Sequence, residues 1–173
     1  MPHRLTNHWT VGNYEQIFDD YHFCICYNKS KDKAYIWKNL KYKPEDNDNT
    51  SDGKYAPHCA QANAGNIGIG VCAMVGFDMI NKKSKAPLNK KQFELMCELN
   101  AECAFKYKFE INKDTVATHS ERDKLIPHPT GKIDIDYLPF APMLKTEQIH
   151  NLIREKTKWY YERVAKRGKT ILI

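Results

Sequence analysis

The chain has 173 residues, which suits one domain with a sizeable core and leaves little room for a second. Hydrophobic residues make up 42% and aromatic residues 12%, a composition typical of a folded protein rather than a disordered one. The 27 Lys and Arg residues exceed the 21 Asp and Glu residues, giving a formal net charge of +6. This modest excess favours an anionic partner, such as a cell-wall polymer, a membrane surface or nucleic acid, without choosing among them.

The sequence carries no pattern of a signal peptide or a membrane helix. Residues 1–10 lack an apolar signal region, and no run approaches the roughly 20 apolar residues that a membrane helix needs. We therefore expect a protein that is cytoplasmic when made, without stable membrane insertion. Most of the six cysteines lie in apolar runs, where free thiols behave as small hydrophobes, so we expect them to be mostly reduced.

The first third of the chain predicts a strand, a short helix and a hairpin. Residues 5–10 suit a strand, and 13–20 have room for about two helical turns after the break at Gly12. The aromatic and sulfur-rich stretch 21–27 predicts a strand that pairs with 34–40 across a polar turn. The irregular segment 41–57 predicts a long loop, which either walls a binding groove or is simply a mobile surface loop.

The rest of the chain alternates strands with helices. Residues 67–77, an apolar run with a glycine near each end, predict a strand buried on both faces. Asn89, with a capping-box glutamine three residues later, opens a helix to about residue 107. A second helix runs from Thr146, its expected cap, to about residue 167 and packs at the C-terminus. We predict a single α/β domain over 1–173 with a mixed central sheet flanked by helices.

Two histidines and one aspartate have positions suited to a metal site. His8 lies at the end of the first predicted strand, and His119 follows a short predicted strand at 115–118. Strand ends that open onto loops are where a sheet presents reactive groups. Asp134, in the stretch GKIDIDYLP, is distant in sequence but can return to the same edge. Two imidazoles and one carboxylate form a common catalytic zinc shell, although such residues are also ordinary polar groups at strand ends.

A wider set of short motifs surrounds these three residues. In chain order the motifs are His8-Trp9-Thr10, Tyr21-His22-Phe23, His58 followed by Asn63, Asn66 and Ile67-Gly68-Ile69, then Thr118-His119-Ser120, and Lys132-Ile133-Asp134. Together they resemble the zinc-dependent N-acetylmuramoyl-L-alanine amidase superfamily, which includes phage amidase endolysins, bacterial anhydro-muropeptide amidases and animal peptidoglycan recognition proteins. The order and approximate spacing agree over about residues 5–137. Each motif is weak alone, and the combination carries the resemblance.

The resemblance implies a fold, a cofactor, a substrate and residue roles. It implies one zinc ion per chain, held by His8, His119 and Asp134, and cleavage of the amide bond between N-acetylmuramic acid and L-alanine in peptidoglycan or muropeptides. Lys132 would stabilise the developing oxyanion, and Tyr21 would orient water or assist proton transfer. The residues expected to contact substrate are His58, Asn63 and Asn66.

Two departures from the family pattern leave alternatives open. Many relatives carry a glutamate as general base directly after Ile-Gly-Ile, where this chain has Gly70. The proton-transfer role then passes to Tyr21 or to Glu121. The interval between the second and third ligands is also long and contains His128, a rival third ligand. Asp136 is a weaker rival, because it points the same way as Asp134 if the segment is extended.

Three classes of function compete at this stage. The first is an amidase, most simply a monomeric phage or prophage endolysin that waits in the cytoplasm until another factor opens the membrane, or alternatively a muropeptide-recycling amidase. The second is a peptidoglycan-binding module that has lost catalysis. The third, a nucleic-acid-binding protein, rests on charge alone, and the aromatic residues follow core periods rather than an exposed basic stripe. We expect the first and no nucleic-acid partner.

Overall fold

The computed structural model describes residues 1–173 and has one mixed five-stranded sheet flanked by helices. The strands are β1 (Arg4–Trp9), β2 (Phe23–Asn28), β3 (Lys33–Lys38), β4 (Asn66–Val71) and β5 (Val116–Thr118). The helices are α1 (Lys90–Tyr107), α2 (His119–Asp123) and α3 (Thr146–Arg167), with a short 3-10 helix at Pro44–Asp48. The predicted α/β class with a mixed central sheet is confirmed.

The strand order is β3-β2-β4-β1-β5, and only β3 runs antiparallel to its neighbour. In the middle of the sheet, Leu5 of β1 pairs with Ile67 of β4 on one side and with Val116 of β5 on the other. The carboxyl ends of β1, β4 and β5 therefore meet at one edge. Open parallel sheets bind ligands at this edge, and His8 and His119 both lie there.

Helix α1 packs between the sheet and α3 and supplies much of the core. Phe93, Met96 and Leu99 recur at helical spacing and are almost completely buried. The predicted capping box is present, since the Asn89 side chain accepts a hydrogen bond from the Gln92 backbone N–H at 3.0 Å. All six cysteines are free and buried. None of the helices is long and apolar enough to cross a membrane.

Three predicted elements differ from the structure. Residues 13–20 form isolated turns rather than a helix, since the backbone N–H groups of Gln16 and Tyr21 bond the carbonyls of Asn13 and Phe18 three residues back and no helical run follows. The predicted strand 67–77 ends at Val71, since Met74 has a left-handed backbone (φ 71°) that redirects the chain. Helix α3 has Lys145 as its N-cap, so the expected cap Thr146 is instead its first helical residue.

The segment 41–57 is anchored by one buried side chain. Asn47 in the 3-10 helix is fully buried, and its amide donates to the backbone carbonyls of Ala56, Asn63 and Asn66 at 3.1 to 3.2 Å. Its carbonyl oxygen accepts from the Ala56 backbone N–H and lies 3.0 Å from Nε2 of His22. This one residue ties the segment to the start of β4.

Candidate metal centre

Three side-chain atoms converge where β1, β5 and the loop before α3 meet. Nδ1 of His8 lies 3.0 Å from Nδ1 of His119 and 3.3 Å from Oδ2 of Asp134. The remaining side of the triangle, from His119 Nδ1 to Asp134 Oδ2, is 2.9 Å. These three residues form a group that can hold a metal ion. The expected set of His8, His119 and Asp134 is thus brought together from three distant parts of the sequence.

The dimensions and charges of this group suit a small divalent metal. Ligand atoms at zinc-bond distances in a tetrahedron are about 3.3 Å apart, close to the spacing seen here. Burial lowers the pKa of His8 to about 4, so its ring is neutral near pH 7 and free to ligate. Burial raises the pKa of Asp134, but its contacts with His119 and His8 outweigh that effect and bring the pKa to about 2. Two imidazoles and one carboxylate form a donor set that zinc commonly takes.

The two rival ligands lie elsewhere. His128 is exposed and outside the group, and its backbone carbonyl accepts a bond from the Gln61 side chain. Asp136 does not point the same way as Asp134, because the segment between them is not extended. Ile135 has a left-handed backbone (φ 63°) that sends the two carboxylates in different directions. This conformation costs a β-branched residue about 1–3 kcal/mol, so its surroundings must hold it in place.

A chain of hydrogen bonds sets the orientation of His8. The Asn66 backbone carbonyl can only accept, so the His58 Nε2 that lies 3.0 Å from it carries the proton. Burial keeps the pKa of His58 well below its ordinary value, so its Nδ1 is an acceptor for Nε2–H of His8 at 3.1 Å. The Nδ1 lone pair of His8 is then directed at the ligand group. An acceptor nitrogen 3.3 Å from a carboxylate oxygen is favourable only with a cation or a proton between them.

Two glycines on β4 leave room for the rings around His8. A Cβ at Gly68 would lie 2.4 Å from Cγ of His58, and a Cβ at Gly70 would lie 2.7 Å from Cδ2 of Tyr21. Real Cβ atoms do not approach other atoms so closely. The absence of a side chain at position 70 is therefore coupled to the placement of Tyr21. The ring of Tyr21 packs against that of His8, with centroids 5.0 Å apart.

The three residues expected to take part in catalysis have different surroundings. Burial, with the charge of Asp134, raises the pKa of Tyr21, so its phenol stays neutral and can donate a hydrogen bond. Lys132 is exposed, two residues before Asp134. Glu121 is already engaged by the Thr118 backbone N–H and by Arg154. Burial raises its pKa, but hydrogen bonds to His150 and other groups bring it to about 2, which makes Glu121 a poor general base.

The side chains expected to contact substrate are hydrogen-bonded within the protein. His58 is 6% exposed and bonds His8, and Asn66 is fully buried with its side chain bonded to Thr6 and Ala62. Asn63 accepts a hydrogen bond from the Cys59 backbone N–H and closes a turn. These contacts favour supporting roles for the three residues over direct contact with a ligand.

Sequence reasoning missed two residues that hold the ligand-bearing loops. Asp123 accepts hydrogen bonds from the backbone N–H groups of Thr130, Gly131 and Lys132 at 2.8 to 3.2 Å and so closes the loop ahead of Asp134. His150 of α3 is 4% exposed and faces the same loop. A histidine next to Ile149 on the apolar face of a helix was the available signal for His150, whereas Asp123 resembles any loop aspartate.

No family model matches the chain, and no curated protein matches its sequence.

Proposed function

We propose that the protein is a zinc-dependent hydrolase that cuts the amide bond between N-acetylmuramic acid and L-alanine in bacterial peptidoglycan. The observation that carries the proposal is the convergence of the His8, His119 and Asp134 ligand atoms within 3.3 Å of one another. The order of the surrounding motifs, which resembles that of zinc amidases, supports the choice of zinc and of this substrate.

The residues next to the ligand group suit hydrolysis of an amide. Zinc, when bound, lowers the pKa of a water ligand toward 7 and polarises a carbonyl. Tyr21, a neutral phenol against His8, donates a hydrogen bond to the attacking water or to the reacting carbonyl. Lys132, exposed and two residues before Asp134, supplies a positive charge that stabilises the developing negative charge. Between Tyr21 and Glu121 as proton-transfer groups, the geometry favours Tyr21, because Glu121 is bonded to Arg154 and His150.

The electrostatics suit a polyanionic wall polymer as the partner. The formal net charge of +6 attracts the chain to such a surface. We propose that the protein works as an endolysin, which reaches the wall after another factor opens the membrane.

Product analysis tests the proposed bond specificity. Purified peptidoglycan incubated with the zinc-loaded protein should release stem peptides with a free L-alanine amino terminus and no new reducing sugar ends. New reducing ends, or cleavage within the peptide, would contradict the proposed reaction. Binding to peptidoglycan without any bond cleavage would indicate a binding module instead.

A further inference from the structure

A second buried polar cluster lies beside the two loops that carry the metal ligands. It consists of Ser120 and Glu121 from α2, Asp136 from the following loop, and His150 from α3. Nε2 of His150 lies 2.9 Å from Oδ1 of Asp136, and its Nδ1 lies 3.3 Å from Oε1 of Glu121. Ser120 donates its hydroxyl hydrogen bond to Asp136. We call these four residues the His150 cluster.

The His150 cluster is built to hold chain segments rather than to carry out chemistry. Ser120 is 1% exposed and donates to the carboxylate, so it is neither accessible nor activated as a nucleophile. Each ring nitrogen of His150 faces a carboxylate, and carboxylates only accept hydrogen bonds. His150 therefore donates from both nitrogens as an imidazolium. Burial lowers its pKa, but the hydrogen bonds to Asp136 and Glu121 outweigh it, and the pKa lies above its ordinary value.

The sequence positions of the cluster link it to the ligands. Ser120 and Glu121 directly follow the ligand His119, and Asp136 comes two residues after the ligand Asp134. Ile135, between the two aspartates, has the strained left-handed backbone that turns their carboxylates apart. One carboxylate faces the metal group and the other faces His150. Two side chains hold the Asp136 carboxylate, Ser120 and His150, and His150 alone also reaches Glu121.

We propose that His150 is a positioning residue, which joins Asp136 to α2 and thereby holds Asp134 and His119 at ligating distance. The proposal rests on the metal centre proposed above, and it concerns a residue that contacts neither the metal nor the substrate. Groups that orient ligands from outside the coordination sphere commonly change metal affinity about 10–100-fold when removed.

The matched pair His150→Ala and Thr157→Ala separates positioning from general destabilisation. Thr157 lies on the same helix, is fully buried and accepts a hydrogen bond from the Asn100 side chain, away from the His150 cluster. In competition with a chromophoric chelator, His150→Ala should bind zinc about 10–100-fold more weakly than wild type. Thr157→Ala should bind zinc as wild type does. The visible spectrum of the cobalt-substituted protein should change in the first variant only.

Hydrogen exchange of the metal-free protein gives a readout that does not need the metal. Amides of residues 133–137 should exchange faster in His150→Ala than in wild type or in Thr157→Ala. Asp136→Ala should weaken zinc binding in the wild-type background. The same substitution should weaken it less when His150 is already alanine, because His150 acts through Asp136. Exchange and zinc affinity in His150→Ala that match those of Thr157→Ala would overturn the proposal. A wild type that binds no zinc would defeat the proposed function, while the exchange data would still decide the role of His150.

Discussion

Replacing Gly70 with alanine should impair catalysis while leaving the metal site intact. The added Cβ would lie 2.7 Å from Cδ2 and 2.9 Å from Cγ of Tyr21, and 3.0 Å from Cγ2 of Thr10. To reach an ordinary contact of 3.4 Å, the tyrosine ring has to withdraw by the difference of 3.4 − 2.7, about 0.7 Å. None of the three atoms nearest to the new Cβ belongs to His8, His119 or Asp134, so the methyl group does not strike the metal group directly.

The size of the effect follows from overpacking and from misplacement. An extra methyl group in a well-packed site costs about 1–3 kcal/mol of folding free energy. For a chain of this length, that lowers Tm by roughly 2–12 °C. A shift of just under an ångström in a positioned catalytic group lowers kcat/KM about 10–100-fold. Zinc affinity should be unchanged, because all three ligands keep their places.

Three measurements on Gly70→Ala, Tyr21→Ala and the double variant check this reasoning. Thermal unfolding, zinc affinity and release of stem peptides from peptidoglycan are compared with wild type. The stability loss of the double variant should be smaller than the sum of the single losses, because removing the ring removes the clash. Strictly additive losses, or full activity in Gly70→Ala, would refute the coupling between Gly70 and Tyr21.

Further predictions concern three buried polar side chains, His58, Asn47 and His22. His58→Ala removes the acceptor for Nε2–H of His8, so zinc binding measured by chelator competition should weaken about 10–100-fold. Unchanged zinc affinity would contradict the role of His58 in orienting His8. Asn47→Ala leaves several buried backbone groups without hydrogen-bond partners, so it should lower the free energy of unfolding in urea by about 3 kcal/mol or more. A loss below about 1 kcal/mol would count against its anchoring role. Burial lowers the pKa of His22 to about 4 in the folded chain, so the unfolded chain binds more protons between pH 6.5 and 4. The free energy of unfolding should therefore be highest above pH 6.5 and should fall by about 3 kcal/mol as the pH is lowered to 4. A free energy of unfolding in urea that is independent of pH over this range would contradict the prediction.

The strand that carries His8 and the strand just before His119 could be predicted because their signals are local. The break at Gly12 marks the end of the first strand, and the capping box at Asn89 is another short-range signal. The turns at 13–20 could not be predicted, because Gln16 bonds the Asn13 backbone N–H as it would at the start of a helix, although no helix follows. The end of β4 at Val71 depends on the chain direction at Met74, which the apolar run conceals.

The three residues of the candidate metal group could be predicted from the sequence, whereas the residues that support them could not. His8, His119 and Asp134 stand in motifs whose order is informative before any geometry is known. The choice of Asp134 over Asp136 depends on the left-handed backbone at Ile135, which no sequence rule predicts for a β-branched residue. The support from His150 comes from another helix, and such contacts between distant segments leave no periodic signal.

The most direct test of the central claim is the zinc content of the purified chain, measured together with stem-peptide release from peptidoglycan. Wild type is compared with His119→Ala, Asp134→Ala and, as a control, the exposed-residue variant His128→Ala. We predict one zinc per chain and peptides beginning with L-alanine for wild type and His128→Ala, and loss of both in the other two variants. A wild type that binds no zinc yet sediments with peptidoglycan would contradict the catalytic claim, and zinc retained in Asp134→Ala but lost in His128→Ala would contradict the ligand set.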